Sequence, residues 1–371
     1  MRGYFLHVFM KFSAGLIHNR CTRRIDIFMD MHSALRKQEN QGILRCNVFY
    51  RGGYWVNEEA LYKFLPEKIG KLMPKISETS TITEIRLRAL KPVLIFSGNE
   101  EYALSLNGGL TKNIESGVIA AKEDIKNTLE RISGYSLYAW EDELKNGFIT
   151  LPGGHRAGIC GKVVIEAERI KTINHISSIN IRVAHKIKGC SDRVFNALTR
   201  NGLGHTLIIS PPSCGKTTML RDLIRNISNG KSGRFDGLSV GVVDERQEIA
   251  GSFMGIAQND VGFRTDVLDR CPKAKGMIML LRGMSPRIIA VDEIGSAEDI
   301  KAIGEIINAG VKLICTVHGR DIEDIRKQRN LAELLERRVF DNYIVMSAKN
   351  GQGTIEGLYD SNFQAVDMND I

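Results

Sequence analysis

The stretch Leu207 to Arg221, LIISPPSCGKTTMLR, constrains this chain more than any other. Leu207, Ile208 and Ile209 read as a buried strand, Ser210 to Gly215 as a turn, and Met219, Leu220, Leu223, Ile224 and Ile227 recur at helical spacing. Strand, loop and helix in that order form a phosphate-binding loop. Successive backbone N–H groups face phosphate oxygens at the positive end of a helix, a lysine reaches the β and γ phosphates, and a hydroxyl ligates Mg²⁺. The candidate cradle is Ser210, Pro211, Pro212, Ser213, Cys214, Gly215, Lys216, Thr217 and Thr218, with Lys216 on the phosphates and Thr217 on the metal. Ser210 stands where the usual pattern has its first glycine, so a Cβ occupies the tightest approach. A bare Gly-Lys-Thr arises easily by chance, and the residues that follow must carry the reading.

They do so at three further strand ends. Ser239 to Asp244 is a mostly apolar run ending in Asp244, Glu245 and Arg246, and Ile288 to Glu293, IIAVDE, is four apolar residues followed by two acids. Acids at the C-terminal tips of parallel strands sit where an open α/β sheet binds its ligands. Asp292 is placed to hold Mg²⁺ through water and Glu293 to polarise the attacking water. Val311 to Val317 returns as a strand with His318 at its tip. A lone histidine is most often structural, but this one is the fourth polar group delivered to one edge, after Lys216, Glu245 and Asp292, and a phosphate-sensing role has equal weight. Between these strands, Pro272 opens a helix carrying Met277, Leu280 and Leu281; Ser296 and Asp299 form a reciprocal cap on another that Gly310 ends. A helix through Leu331, Leu334 and Leu335 and a strand at Tyr343 to Met346 complete an α/β domain with a parallel-core sheet.

Upstream the signals are mixed α and β. Thr83 to Phe96 alternates Ile85 and Leu87 with Arg86 and Arg88, turns at Lys91 and Pro92 and resumes as a second apolar run, the pattern of paired strands. Ile125, Leu129 and Ile132 share one helical face. Gly147 to Gly161 is a glycine-dense hairpin carrying His155 and Arg156, and Ile179 to Val183 is a strand presenting Arg182. Both arginines read equally well as solvated strand residues and as cations aimed at a nucleotide held by a neighbouring copy. The expected division is a basic, disordered extension over 1–53, a smaller α+β domain over 54–187, the ATPase-like domain over 188–360 and a mobile tail over 361–371, with a hinge at 186–192.

Charge and cysteine content exclude several classes. Of the net charge of +8, residues 1–53 carry nine Lys or Arg against three Asp or Glu, which leaves the body nearly neutral and argues against nucleic acid as a partner. The extension alternates Phe, Leu, Ile and Met with Arg and Lys, so an amphipathic anchor on an anionic membrane face is the alternative to disorder there. No apolar run approaches the ~18 residues of a membrane span, so membrane contact is expected to be peripheral. The seven cysteines form no C-x-x-C pair and are odd in number, against a zinc site and a disulfide framework, and a reducing cytoplasm fits.

From about Leu65 to Asp360 the chain resembles the sporulation stage III AA proteins, relatives of the type II and type IV secretion ATPases. The carrying stretches are EIRLR at Glu84, GGHRAGICGK at Gly153, SPPSCGKTTMLRD at Ser210, VVDERQEIAG at Val242, GFRTDVLDRCPKAKGM at Gly262, LLRGMSPRIIAVDEIG at Leu280 and AGVKLICTVHG at Ala309. The resemblance implies a RecA-like ATPase domain behind a smaller N-terminal domain, assembled as a ring, a hexamer, with ATP and Mg²⁺ near the subunit junction. It implies Gly215, Lys216, Thr217 and Thr218 as the Walker A loop, Asp292 and Glu293 as Walker B, Glu245 as part of the acidic box, His318 as the histidine box, and Arg156 and Arg182 as arginines reaching the γ-phosphate across the ring. It also implies a destination: a membrane-embedded, secretion-like complex, powered from the cytoplasmic face of the mother cell. The rival readings are a nucleic-acid-stimulated motor and a nucleotide-binding scaffold without turnover.

Overall fold

Two seven-stranded sheets organise the chain, and they are built on different sequence periods. The structure, a computed structural model, describes residues 49–51, 54–56, 61–73, 76, 82–98, 100–134, 140–145, 147–200 and 202–368. The basic extension expected over 1–53 lies outside them apart from Phe49–Arg51, which pairs antiparallel with Tyr54–Val56, itself paired to Lys186–Ile187.

The first sheet comprises β1 (Ile82–Arg88), β2 (Leu94–Ser97), β3 (Glu100–Leu104), β4 (Leu110–Thr111), β5 (Phe148–Thr150), β6 (Arg156–Glu166) and β7 (Arg169–Arg182), in the order β4-β3-β2-β1-β7-β6-β5. All its pairings are antiparallel, and the alternation in β1 buries Ile85 and Leu87 while turning Arg86 and Arg88 outward. Helix α1 (Lys122–Ile132) lays Ile125, Leu129 and Ile132 into the same core. The hairpin of β6 and β7 outruns its neighbours: β5 pairs only Arg156 to Gly158, and β1 only Ser178 to Arg182. Beyond them the two strands stand as an arm with Val163, Ile165 and Ile170 exposed. The two ends of this hairpin are legible in the sequence and its length is not, because an arm with no buried face leaves no hydrophobic signature.

The second sheet comprises β8 (Thr206–Ser210), β9 (Val240–Asp244), β10 (Thr265–Asp269), β11 (Ile288–Val291), β12 (Lys312–His318), β13 (Asn342–Ser347) and β14 (Thr354–Asp360), in the order β10-β9-β11-β12-β8-β13-β14. Every pairing is parallel except β13 with β14. The mixed α/β architecture with a mostly parallel sheet is the one expected. Buried on both faces, its strands read as continuous apolar runs, and alternate residues serve opposite layers. Ile208 joins a core with Leu223 and Ile227 of α3 (Lys216–Asn229) and Phe195 of α2 (Asp192–Thr199). Leu207 and Ile209 face the other way, toward Met277 and Leu280 of α4 (Lys273–Gly283) and Ile303 and Ile306 of α5 (Ala297–Asn308). The reciprocal cap on α5 forms as expected, Ser296 Oγ accepting from Asp299 N–H while Asp299 accepts from Ser296 N–H at 3.0 Å. The tail expected to be mobile instead folds back on this sheet as far as Met368: Val366 N–H donates to Leu358 O at 2.8 Å, Phe363 lies 5.1 Å from the Tyr343 ring, and Val366 and Met368 pack on the core.

Val48 to Ile371 form one compact unit, so the two sheets meet. The β5–β6 hairpin makes the junction. Thr150 Oγ1 donates to Gln247 Oε1 at 2.7 Å, Gly153 N–H to Gln258 Oε1 at 2.9 Å, and Lys186 Nζ to Gln258 O at 2.7 Å. His155 sits buried in the same turn, its Nδ1 accepting Ala184 N–H at 3.0 Å.

Burial, and then the charges of Lys186 and His185, push His155 down to about 4. The folded protein therefore resists protonating a group that the unfolded chain protonates near 6.5. Unfolding free energy should be fully present above about pH 6.5 and fall toward pH 4, by on the order of 3 kcal/mol from this group. His155→Asn, which keeps an acceptor and cannot titrate, should flatten that window in urea melts run at a series of pH values; an unchanged slope would refute the assignment.

Candidate functional site

The parallel strands deliver their C-terminal ends to one rim, and the phosphate loop forms there. Gly215 takes φ +86 as the N-cap of α3, and a Cβ at that position would meet Gly353 N at 3.3 Å, so both backbone and space require glycine. The turn between β13 and β14 backs the loop, Gly353 N–H donating to Cys214 O at 3.0 Å. Among the described residues the N–H groups of Ser213 to Thr217 donate to no protein acceptor, leaving the loop's donors at the head of the helix for an anion. Ser210 is fully buried with its hydroxyl donating to Pro211 O at 3.0 Å.

Register assembles the rest. Ser210 lies opposite His318 across β8 and β12, and Val291 opposite Cys315 across β11 and β12, which places Asp292 beside Thr316. The Thr316 hydroxyl donates to Asp292 Oδ1 and accepts Glu293 N–H at 2.9 Å. Thr217 Oγ1 donates to Asp292 Oδ2 at 2.9 Å. Lys216 is buried, its ammonium 3.0 and 2.9 Å from the two ring nitrogens of His318. His318 Nε2 lies 2.7 Å from Glu293 Oε1, and Arg246 Nη1 lies 3.1 Å from Glu293 Oε2. One line of contacts thus runs Lys216, His318, Glu293, Arg246, bordered by a cleft of about 560 Å³ whose walls include Glu245, Arg246, Lys273, Glu293, Ser296 and His318.

The residues fit Mg²⁺ and a nucleotide. Thr217 and Asp292 place a hydroxyl and a carboxylate side by side at the mouth of the loop, hard oxygen donors of the kind Mg²⁺ takes in small number while keeping its waters and phosphate oxygens. Among the described residues no group of three or more His, Cys, Asp or Glu is arranged to hold a metal.

Within the acidic run the three residues diverge. Asp244 is buried, and its carboxylate accepts the N–H groups of Glu248, Ile249, Ala250 and Gly251 at 2.8 to 3.2 Å, shaping the loop after β9. Glu245 faces the cleft, 3.1 Å from Lys273 Nζ. Arg246 reaches Glu293. Partly buried Arg221 of α3 holds the far side of that loop, donating to Ile249 O at 2.6 Å and to Glu248 O. Arg156 and Arg182 are register partners on β6 and β7 but are used differently. Arg156 donates to Arg246 O, lies 3.6 Å from Glu248 Oε1 and stacks on Phe148 at 4.8 Å, so the structure brings it to the acidic run. Arg182 stays on the first sheet, 69% exposed and 3.6 Å from Glu84 Oε2. Sequence alone marks Arg246 only as part of the acidic run and does not mark Lys273 or Thr316 as site residues. For Thr316 a signal exists: it is the one hydroxyl in the otherwise apolar run Leu313 to Val317, one position before the strand's last apolar residue.

A family model described as sporulation stage III, protein AA, matches residues 56–366. The stage III sporulation protein AA of Bacillus subtilis is 41% identical over 298 residues, covering 80% of this chain and 93% of its own length. Solved structures similar to this one include the Legionella pneumophila ATPase DotB, at 16% identity, 74% of each chain and a TM-score of 0.47. The pilus retraction motor PilT with bound ADP is similar at 17% identity, 74% of this chain and 76% of that one, with a TM-score of 0.49.

The geometry separates Asp244 from its neighbours. Asp244→Ala orphans four backbone N–H groups and should lower stability by about 3 kcal/mol or more in chemical denaturation, whereas Glu245→Ala, at a half-exposed cleft position, should shift the midpoint little. Equal effects of the two would contradict the structural role given to Asp244.

Proposed function

The chain belongs to the sporulation stage III protein AA family, and on that footing we propose that it is a Mg²⁺-dependent ATPase. The observation that carries the reading is the meeting, at one sheet rim, of an open phosphate loop, a hydroxyl–carboxylate pair and a second carboxylate linked through His318 to the loop lysine. Lys216 and the loop N–H groups hold the β and γ phosphates. Thr217 and Asp292 hold the metal, whose chemistry when bound is to neutralise the phosphate oxygens. Glu293 orients a water in line with the γ-phosphorus and takes its proton; Thr316 fixes both acids by bonding one side chain and the other's backbone. His318, touching Lys216 and Glu293, is placed to register whether the γ-phosphate is present. Glu245 bears on the water or metal from the cleft side.

Family membership supports the setting: a homo-oligomeric ring, a hexamer, peripheral at the inner face of the mother-cell membrane, that powers or assembles a secretion-like complex during sporulation. Among the described residues no helix is long and apolar enough to cross a membrane. The junction between the sheets, where Thr150, Gly153 and Arg156 grip the loop after β9, supports coupling of hydrolysis to movement of the first sheet against the second. Charge disfavours the nucleic-acid motor, since most of the surplus lies in residues 1–53.

Glu293→Gln should retain nucleotide binding and lose turnover by 10²-fold or more, while Lys216→Ala should weaken binding itself. Turnover that survives Glu293→Gln refutes the base assignment, and wild-type protein that binds ATP without hydrolysing it favours the scaffold. Hydrolysis stimulated by DNA, with affinity falling steeply as salt rises, would instead restore the nucleic-acid motor.

A further inference from the structure

We propose that the arginine charge completing the hydrolytic site is Arg246 of the same chain, and that Arg156 is its positioning residue. This rests on the ATPase reading above. As water's oxygen bonds to the γ-phosphorus and the bridging P–O bond breaks, with the water proton passing to Glu293 and ADP leaving, negative charge spreads over the phosphoryl oxygens and demands a cation beyond the loop lysine. Three arginines are placed to be considered. Arg182 is engaged with Glu84 on the first sheet. Arg156 is engaged with the carbonyl of Arg246, the Glu248 carboxylate and the Phe148 ring. Within one chain, Arg246 alone of the three touches the site, its Nη1 3.1 Å from Glu293 Oε2.

Its setting suits the task. A guanidinium carries five N–H donors in a planar fork, so one edge can hold a carboxylate while another meets a phosphate oxygen, which a lysine cannot do with the same geometry. Glu293 is one contact from His318 and two from Lys216, so Arg246 and the loop lysine are the two ends of one line of side-chain contacts that passes through the carboxylate. The side chain is 66% exposed and lines the cleft, whereas the backbone on either side is fixed. Asp244 precedes it with four accepted N–H bonds; Gln247 follows it, buried, bonded to Thr150, Ser252, Asp269 and Arg270. Arg156 grips the carbonyl between them. Movement of the first sheet would therefore shift the arginine's root, making the charge available in one domain arrangement and withdrawing it in another.

Steady-state kinetics of the full chain tests this. Arg246→Ala and Arg246→Gln should each lower kcat by about 10³-fold or more with ATP affinity and denaturation midpoint near wild type, and Arg246→Lys should recover little. Arg156→Ala should lower kcat less, leave KM unchanged, and add nothing to Arg246→Ala in the double variant. Mixing Arg246→Ala subunits with Lys216→Ala subunits separates the sources: a same-chain arginine leaves the mixture as inactive as its parts, and an arginine acting on a neighbour restores turnover. Restoration, or an Arg246→Ala enzyme within twofold of wild type, overturns the proposal while leaving the ATPase reading intact. Failure of the ATPase reading shows separately, as wild-type protein without turnover or turnover unaffected by Glu293→Gln.

Discussion

The candidate chemistry depends on one constraint, the parallel register of β8, β11 and β12. With Ser210 opposite His318 and Val291 opposite Cys315, β8 and β12 finish level and β11 ends three residues short of them, which sets Asp292 beside Thr316 and gathers the groups at these strand ends. A slip of one residue along β12 would exchange the faces of Thr316 and Val317, removing the hydroxyl that bonds Asp292 and the backbone of Glu293. Such a slip is opposed by the core itself, because Leu313 and Cys315 serve one layer and Ile314 the other. Packing on both faces of the sheet therefore sets the geometry of the acids at its rim.

A second constraint ties the rim to the other sheet. The loop after β9 carries Glu245 and Arg246 into the cleft, yet its shape is determined from three directions: Asp244 beneath, Arg221 of α3 behind, and the β5–β6 hairpin in front. Buried polar groups this fully bonded are stiff, and a break at one of them leaves orphaned partners in a low-dielectric setting. In the proposed mechanism the loop would pass displacement of the first sheet to the rim, with Arg246 the residue at which it meets the Glu293 carboxylate. The junction includes neutral His155, buried beside Lys186, which makes it sensitive to acid as well as to motion.

How much of this could be read in the sequence follows from which interactions leave a local trace. Buried parallel strands do, as apolar runs, and so β8, β9, β11, β12 and β13 were placed to within a residue or two; amphipathic helices do, as with α1 and α5, down to the Ser296 and Asp299 cap. Lys216, Thr217, Asp292, Glu293 and His318 were legible because each sits at the end of such an element, and the structure brings all five together. The partners that fix this rim and the loop beside it leave no local trace: Thr316 bonds Asp292 and Glu293 through register, Lys273 reaches Glu245 through the packing of α4, and Gln247 is held by a contact 97 residues away in Thr150. The solvent-facing arm of β6 and β7 escaped for the opposite reason, having no core to pattern it, and the tail after Asp360 was read as mobile because its few apolar residues, Phe363, Val366 and Met368, show no period of their own.

The backbone at the rim carries the same logic one step further. Ser213, Gln247 and Glu293 all adopt left-handed φ, at +59, +56 and +50, and none is glycine. Each such residue costs roughly 1 to 2 kcal/mol relative to its relaxed conformation, so each must be held by something. Gln247 is held by its four side-chain bonds, and Glu293 by the Thr316 hydroxyl on its own N–H. Ser213 lies two residues before the glycine that caps α3, in the stretch whose N–H groups have no protein acceptor among the described residues. The strained residues thus coincide with the loop that would grip phosphate, the residue that follows Arg246 and the carboxylate that would activate water. Strain of this kind persists where the surrounding structure over-determines a conformation. At Gln247 and Glu293 the protein supplies that support itself, and at Ser213 an anion seated on the loop's N–H groups would supply it, so that on the proposed function phosphate binding and loop ordering would be one event.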